Sequence, residues 1–314
     1  MPGKGNGGGN GGGGGGGKPG GGGDGGVNQI NGKDKKDDTL IGTDGDDAIL
    51  GKGGNDILEG RGGNDLLIGG DGDDTLYGGD GYDKLYGGQG DDAHFGGAGD
   101  DYLQGNTGSD YMDGGVGYDV ASFVEIAPTS ADNDGLVFTT AYDSGTGAST
   151  YTATNPDTGD VDTVVNVEEL RGTNYNDTMT GGDGDDHFVG ARGEDTIDGG
   201  AGNDTLYGSL DDDEITTGSG SDTLIFLRYN TNGNGLDDDA FALGDSYDVV
   251  TDFDVGSDTI LFIGNEAVPY TLSSADGGAS TLVTYATDST ILLEGVDFVA
   301  ESGAIIFDYE FVDV

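Results

Sequence analysis

The chain of 314 residues carries 61 acidic side chains against 11 Lys and Arg, a formal net charge of −50, and no cysteine. Repulsion on that scale opposes binding to nucleic acid or to anionic lipid headgroups, and the missing thiols exclude disulfides and thiolate-held metals. Gly and Pro make up about a quarter of the residues, and Leu, Ile, Val and Phe only about a fifth, near the limit below which a chain cannot bury enough apolar surface to fold unaided.

Residues 1–26 are almost entirely glycine and are expected to form a flexible, disordered tail, since glycine has the most backbone entropy to lose and nothing there can pack. The opening MPGKGNGGGN has no apolar h-region, so a cleaved N-terminal secretory signal is not expected. No stretch approaches the ~18 apolar residues of a membrane-spanning helix. Residues 27–41 end in Thr39-Leu40-Ile41, a lead-in strand to a first block over 27–122.

From Gly42 to Ser122 nine copies of a nine-residue unit run in unbroken frame, among them GGDGDDTLY (69–77) and GGDGYDKLY (78–86). The consensus is G-G-x-G-x-D-x-U-x, with U a large apolar residue. Position 6 is Asp47, Asp56, Asp65, Asp74, Asp83, Asp92, Asp101, Asp110 and Asp119, and position 8 is apolar except at His94. Neighbouring side chains on a strand point opposite ways, so a three-residue x-U-x strand turns U inward. Two units then make one 18-residue coil with a strand on each of two sheets, and stacked coils bury a narrow apolar column.

Residues 123–171 break the frame and read as a β-rich connector, with strands near 136–142, 149–154 and 161–170. Six further units, starting at 172, 181, 190, 199, 208 and 217, form a second block over 172–226, with position-6 residues Asp177, Asp186, Asp195, Asp204, Asp213 and Asp222. Tyr175 and Asp211 replace its second-turn glycine, Thr217 replaces a first glycine, and Ser209-Leu210 disturb a loop, which places the end sites of this block in question because left-handed backbone disfavours such residues. Residues 227–314 are richer in β-branched residues and read as a β cap over the last coil.

The nonapeptide resembles the repeat of RTX, or haemolysin-type, calcium-binding proteins. The run Asp248-Val249-Val250-Thr251-Asp252-Phe253 with Asp258-Thr259-Ile260 is similar to the cap of the module that follows the protease domain in serralysins. The resemblance implies an all-β, parallel β-roll in two blocks, Ca²⁺ held by the fifteen position-6 Asp side chains with glycine-loop carbonyls beside them, and an extracellular, secreted protein. It also implies export by the type I secretion machinery, read from an uncleaved C-terminal signal with which AIIFDYEFVDV is compatible.

The residue chemistry agrees. Calcium takes six to eight oxygen ligands and the repeat offers only oxygens, whereas magnesium demands strict octahedra. Local turn hydrogen bonds explain one or two Asp, not fifteen at constant phase. Pairing each unit with the second one after it gives up to seven sites in the first block and four in the second. H-E-x-x-H, P-loop and G-x-S-x-G patterns are absent, and His94 and His187 lie in different blocks, so no enzyme is expected. His94 reads as a tolerated core residue. Tyr77 and Phe95 share an outward column, as do Ile68 and Tyr86, a candidate patch for an extracellular polysaccharide or a cell surface. The leading expectation is a non-enzymatic protein of binding or matrix role that folds on taking up calcium. The alternatives are a small membrane-perturbing effector and an accessory module of a secreted enzyme.

Overall fold

A computed structural model describes residues 27–126, 134–227, 247–253, 258–263, 270–275, 280–285 and 289–293. The glycine tail 1–26 and the C-terminal segment 304–314, with its expected strand and export signal, lie outside the described residues.

The protein is an all-β parallel solenoid, with no helix among the described residues. An eleven-stranded sheet runs Asn28–Asn31, Asp47–Gly53, Leu66–Asp71, Lys84–Gln89, Tyr102–Thr107, Val120–Ser122, Glu169–Arg171, His187–Arg192, Thr205–Leu210, Thr223–Leu227 and Thr259–Ile263. The opposing sheet has fifteen strands. Its first five, Thr39–Ile41, Ile57–Gly62, Thr75–Asp80, Ala93–Ala98 and Tyr111–Val116, alternate along the chain with those of the first.

Register follows the repeat. Ile49 lies beside Leu67, Leu67 beside Leu85 and Leu85 beside Leu103, a step of two units each time. Leu58, Leu67, Leu76, Leu85 and Leu103 are fully buried, because position 8 alone points between the sheets. His94 sits in the middle of the column between Leu76 and Met112. It is fully buried and neither ring nitrogen has a hydrogen-bond partner. Desolvation pushes its pKa down to about 3, so the ring is neutral. One large apolar side chain per nine residues is a thin core, and the coils need another source of cohesion.

The connector does not interrupt the first sheet: Val120–Ser122 pairs directly with Glu169–Arg171. The second sheet absorbs it as a three-strand insertion. Val161–Val165 pairs parallel with Tyr111–Val116, Ala148–Thr154 pairs antiparallel with it, and Asp134–Asp143 follows antiparallel before parallel pairing resumes at Asn176–Thr180. Of the three, Val161–Val165 continues the parallel stack, while Ala148–Thr154 and Asp134–Asp143 widen this sheet only, and larger side chains fill the space, with Phe123 edge-on to Phe138 and Tyr151 edge-on to Phe188. The C-terminal strands repeat this order: Ser289–Leu293 pairs parallel with Tyr247–Thr251, then Ser280–Tyr285 and Tyr270–Ala275 follow antiparallel.

Candidate metal centre

Between strands the chain turns through a glycine-rich loop, and these loops stack into two rows along the edges of the roll. Glycine is needed at position 1 for space. A Cβ on Gly78 would lie 2.5 Å from both Asp83 Oδ2 and the Gly96 carbonyl oxygen of the next coil. At position 2 the backbone is left-handed in all units but those of Thr43, Thr173 and Gly182, and the other residues that replace glycine there, Lys52, Arg61, Asn106, Ala191 and Ser209, keep positive φ (74° to 89°). Each holds a conformation that disfavours an L side chain. The irregular second-block loop is therefore accommodated: Ser209 and Asp211 both take the left-handed form, at φ 89° and 76°.

Position-6 carboxylates form two ladders. In one row the Asp47, Asp65, Asp83 and Asp101 N–H groups donate to Oδ1 of Asp65, Asp83, Asp101 and Asp119, at 2.7–2.8 Å. In the other, the N–H groups of Asp38, Asp56, Asp74 and Asp92 donate to Asp56, Asp74, Asp92 and Asp110 at 2.7–2.8 Å. The second block repeats this through Asp177 to Asp195, Asp195 to Asp213, Asp186 to Asp204 and Asp204 to Asp222. All fifteen are buried.

Their second oxygens divide the set. Oδ2 of Asp56, Asp65, Asp74, Asp83, Asp92, Asp101, Asp110, Asp119, Asp195, Asp204 and Asp222 is buried without a hydrogen-bond partner. In the units that begin each block it is satisfied locally: Thr43, Thr173 and Gly182 N–H donate to Oδ2 of Asp47, Asp177 and Asp186 at 2.6, 2.6 and 2.9 Å. Thr43 and Thr173 hydroxyls add a second bond to the same carboxylates. Position 2 in these units is not left-handed, so its N–H turns toward the Asp.

The sequence reading missed several members of the ladders. Asp38 begins one row, Asp162 receives the Asp110 N–H at 2.7 Å, Glu168 receives the Asp119 N–H at 2.7 Å, and Asp258 receives the Asp222 N–H at 3.2 Å. None follows a G-G turn. Their signal is the bare acid-x-apolar triplet, as in Asp162-Thr163-Val164 and Asp258-Thr259-Ile260.

Burial makes these carboxylates weak acids. Desolvation, then repulsion from neighbours along the row, pushes Asp65 and Asp74 up to about 6, Asp101 and Asp204 to about 7, and Asp92 to about 8. Asp195, flanked by Asp177 and Asp213, rises to about 10. A buried anion with an idle oxygen facing a carbonyl lacks a positive partner. Among the described residues no three acidic or histidine side chains converge on one point, so any ion here is held by one or two carboxylates and several backbone carbonyls. That all-oxygen set fits a hard cation of high coordination number, calcium, and lacks the nitrogen and sulfur donors typical of zinc sites.

A family model described as the RTX calcium-binding nonapeptide repeat matches residues 22–58, 34–67, 68–93, 86–121, 167–197 and 189–224, about half of the chain. A search of curated proteins finds no match. Among solved structures, the extracellular lipase LipA from Serratia marcescens is similar at 18% identity and a TM-score of 0.27, over 79% of this chain and 44% of the lipase. The AlgE6R3 subunit of the Azotobacter vinelandii mannuronan C5-epimerase is similar at 24% identity and a TM-score of 0.28, over 47% of this chain and 87% of that subunit. The chain thus spans less than half of the lipase's length.

Proposed function

Since this chain belongs to the RTX calcium-binding nonapeptide repeat family, we propose that it is a secreted, non-enzymatic binding or matrix protein whose roll is assembled by calcium outside the cell. The observation that carries the reading is the double row of buried carboxylate oxygens without partners, each beside a glycine turn. Bound cations would neutralise charges that otherwise drive the coils apart. Their stabilisation, RT ln(1 + [L]/Kd) per site, accumulates over many sites. Extracellular calcium modules bind with Kd of ~10⁻⁴–10⁻³ M, so the chain would stay unfolded at cytosolic calcium and fold after export by the type I route.

A partner surface is supported by one outward face of the fifteen-stranded sheet. Tyr77 stacks on Phe95 at 5.0 Å between centroids, and Phe95 meets Tyr111 at 5.8 Å, with Tyr77 and Tyr111 43% and 38% exposed. Three aromatic rings on neighbouring strands, Tyr77 and Phe95 nearly parallel and Tyr111 tilted against them, make an apolar strip on an acidic surface, the chemistry that takes the hydrophobic face of an uncharged polysaccharide.

Circular dichroism during a calcium titration, with magnesium as control, tests the folding reading. β signal should appear near millimolar calcium and not with magnesium; a spectrum indifferent to calcium defeats it. Co-sedimentation with insoluble glycans in calcium, comparing the native chain with Tyr77→Ala/Phe95→Ala, tests the surface. Leakage of dye from lipid vesicles at the same protein concentration would instead favour a membrane-perturbing effector.

A further inference from the structure

The ladders do not end where the repeats end. At Asp110 and Asp119 the next repeat is missing, yet both turns find an acidic partner in the connector. Asp110 N–H donates to Asp162 Oδ1, and Asp119 N–H to Glu168 Oε2, each at 2.7 Å. The return bonds are also those of a repeat. Thr163 N–H donates to the Asp110 carbonyl at 2.8 Å and Glu169 N–H to the Asp119 carbonyl at 3.1 Å, as Thr75 N–H does to Asp56 at 2.8 Å. A Cβ on Gly114 would meet the Asn166 carbonyl oxygen and lie 2.8 Å from Asp119 Oδ2, where Gly78 meets the Gly96 carbonyl and Asp83 Oδ2. Asn166 is left-handed, with φ 52°.

Oδ2 of both Asp110 and Asp119 is buried and unpartnered, on side chains 3% and 0% exposed, in the loops that face the connector. We infer that the connector completes two divalent-cation sites of its own. One lies between the turns of Asp110 and Asp162, and the other between the turn of Asp119 and the Asn166–Glu168 segment. Asp162 and Asn166 lie outside every segment matched by the repeat model. The inference rests on the calcium reading of the repeats and extends it to the connector, at residues that follow no G-G turn. Where the connector meets the second block the pattern is absent: Asp186 Oδ1 accepts the Tyr151 hydroxyl at 2.9 Å and Leu136 N–H fills Asp177 Oδ1 at 2.6 Å. The two sites therefore bind the connector to the first block.

The test compares the full chain with Asp162→Asn, Glu168→Gln and, as an internal standard, Asp83→Asn, measuring bound calcium by equilibrium dialysis. Each connector variant should lose one calcium at a free concentration that saturates the native chain, through an affinity roughly tenfold or more weaker once a ligand charge is removed. Loss in Asp83→Asn with none in the connector variants overturns the inference and leaves the repeat sites standing. No loss in any of the three removes the calcium reading itself. Hydrogen exchange on the unaltered chain gives an answer even where a variant misfolds. Amides at 160–170 should gain protection over the same calcium range as the turns at 74–92, and protection already complete in chelator, or none at saturation, refutes the sites.

Discussion

Asp92→Asn separates a carboxylate that binds an ion from one that only shapes a turn. Asn keeps the oxygen that accepts the Asp74 N–H at 2.7 Å, and the backbone N–H still reaches Asp110 at 2.8 Å. What changes is the charge and the idle Oδ2. If one site of Kd ~10⁻⁴–10⁻³ M is lost, the roll at 10 mM calcium is destabilised by RT ln(1 + [L]/Kd), about 1.4–2.7 kcal/mol. At 0.1 mM calcium the same expression gives only about 0.1–0.4 kcal/mol. There the removed carboxyl, whose pKa desolvation pushes up to about 8 so that the metal-free roll must take up a proton to bury it, relieves more than the missing ion subtracts, so the variant should match or exceed the native chain. Urea unfolding followed by circular dichroism at both calcium concentrations reads the difference. Equal destabilisation at 10 and 0.1 mM would show that Asp92 acts through its turn alone.

Acid should replace calcium in part. The folded pKa values lie above the ordinary 3.8, at about 6 for Asp65 and Asp74 and about 8 for Asp92, so the metal-free roll binds more protons than the unfolded chain. Its stability therefore falls as pH rises from about 4 through 8. In chelator, β signal should grow on lowering the pH from 8 toward 5, while the calcium midpoint moves to higher concentration because protons compete for the same oxygens; a midpoint unchanged between pH 8 and 6 would count against carboxylate ligation. His94→Leu should stabilise the calcium-loaded roll by roughly 1–3 kcal/mol, since two buried nitrogens without partners are replaced by the residue the column uses elsewhere; a lower melting temperature would assign the ring another role. Lys52→Gly should add about 1 kcal/mol by relieving left-handed backbone at φ 85°, and Gly78→Ala should subtract more than 2 kcal/mol by driving a methyl into Asp83 and the Gly96 carbonyl, both measured as denaturation midpoints in saturating calcium.

The repeat in the sequence determined the roll: one apolar residue every nine positions with glycine turns between sets two units to a coil, the resemblance to the RTX repeat implies parallel sheets, and Leu67 beside Leu85 then follows from counting. The phase of Asp83 or Asp204 was legible for the same reason, since a repeat converts sequence spacing directly into stacking. Tertiary structure decided the remainder, because it depends on contacts between segments without shared period. Asp162 reaches Asp110 across 52 residues only because the connector folds into three strands that return the chain to the ladder. Nor does the motif distinguish Asp47 and Asp177, whose second oxygens are closed by Thr43 and Thr173, from Asp65 and Asp195, whose second oxygens remain unpaired. That distinction turns on the direction of a single peptide N–H at position 2, set by local backbone conformation, which residue spacing does not encode.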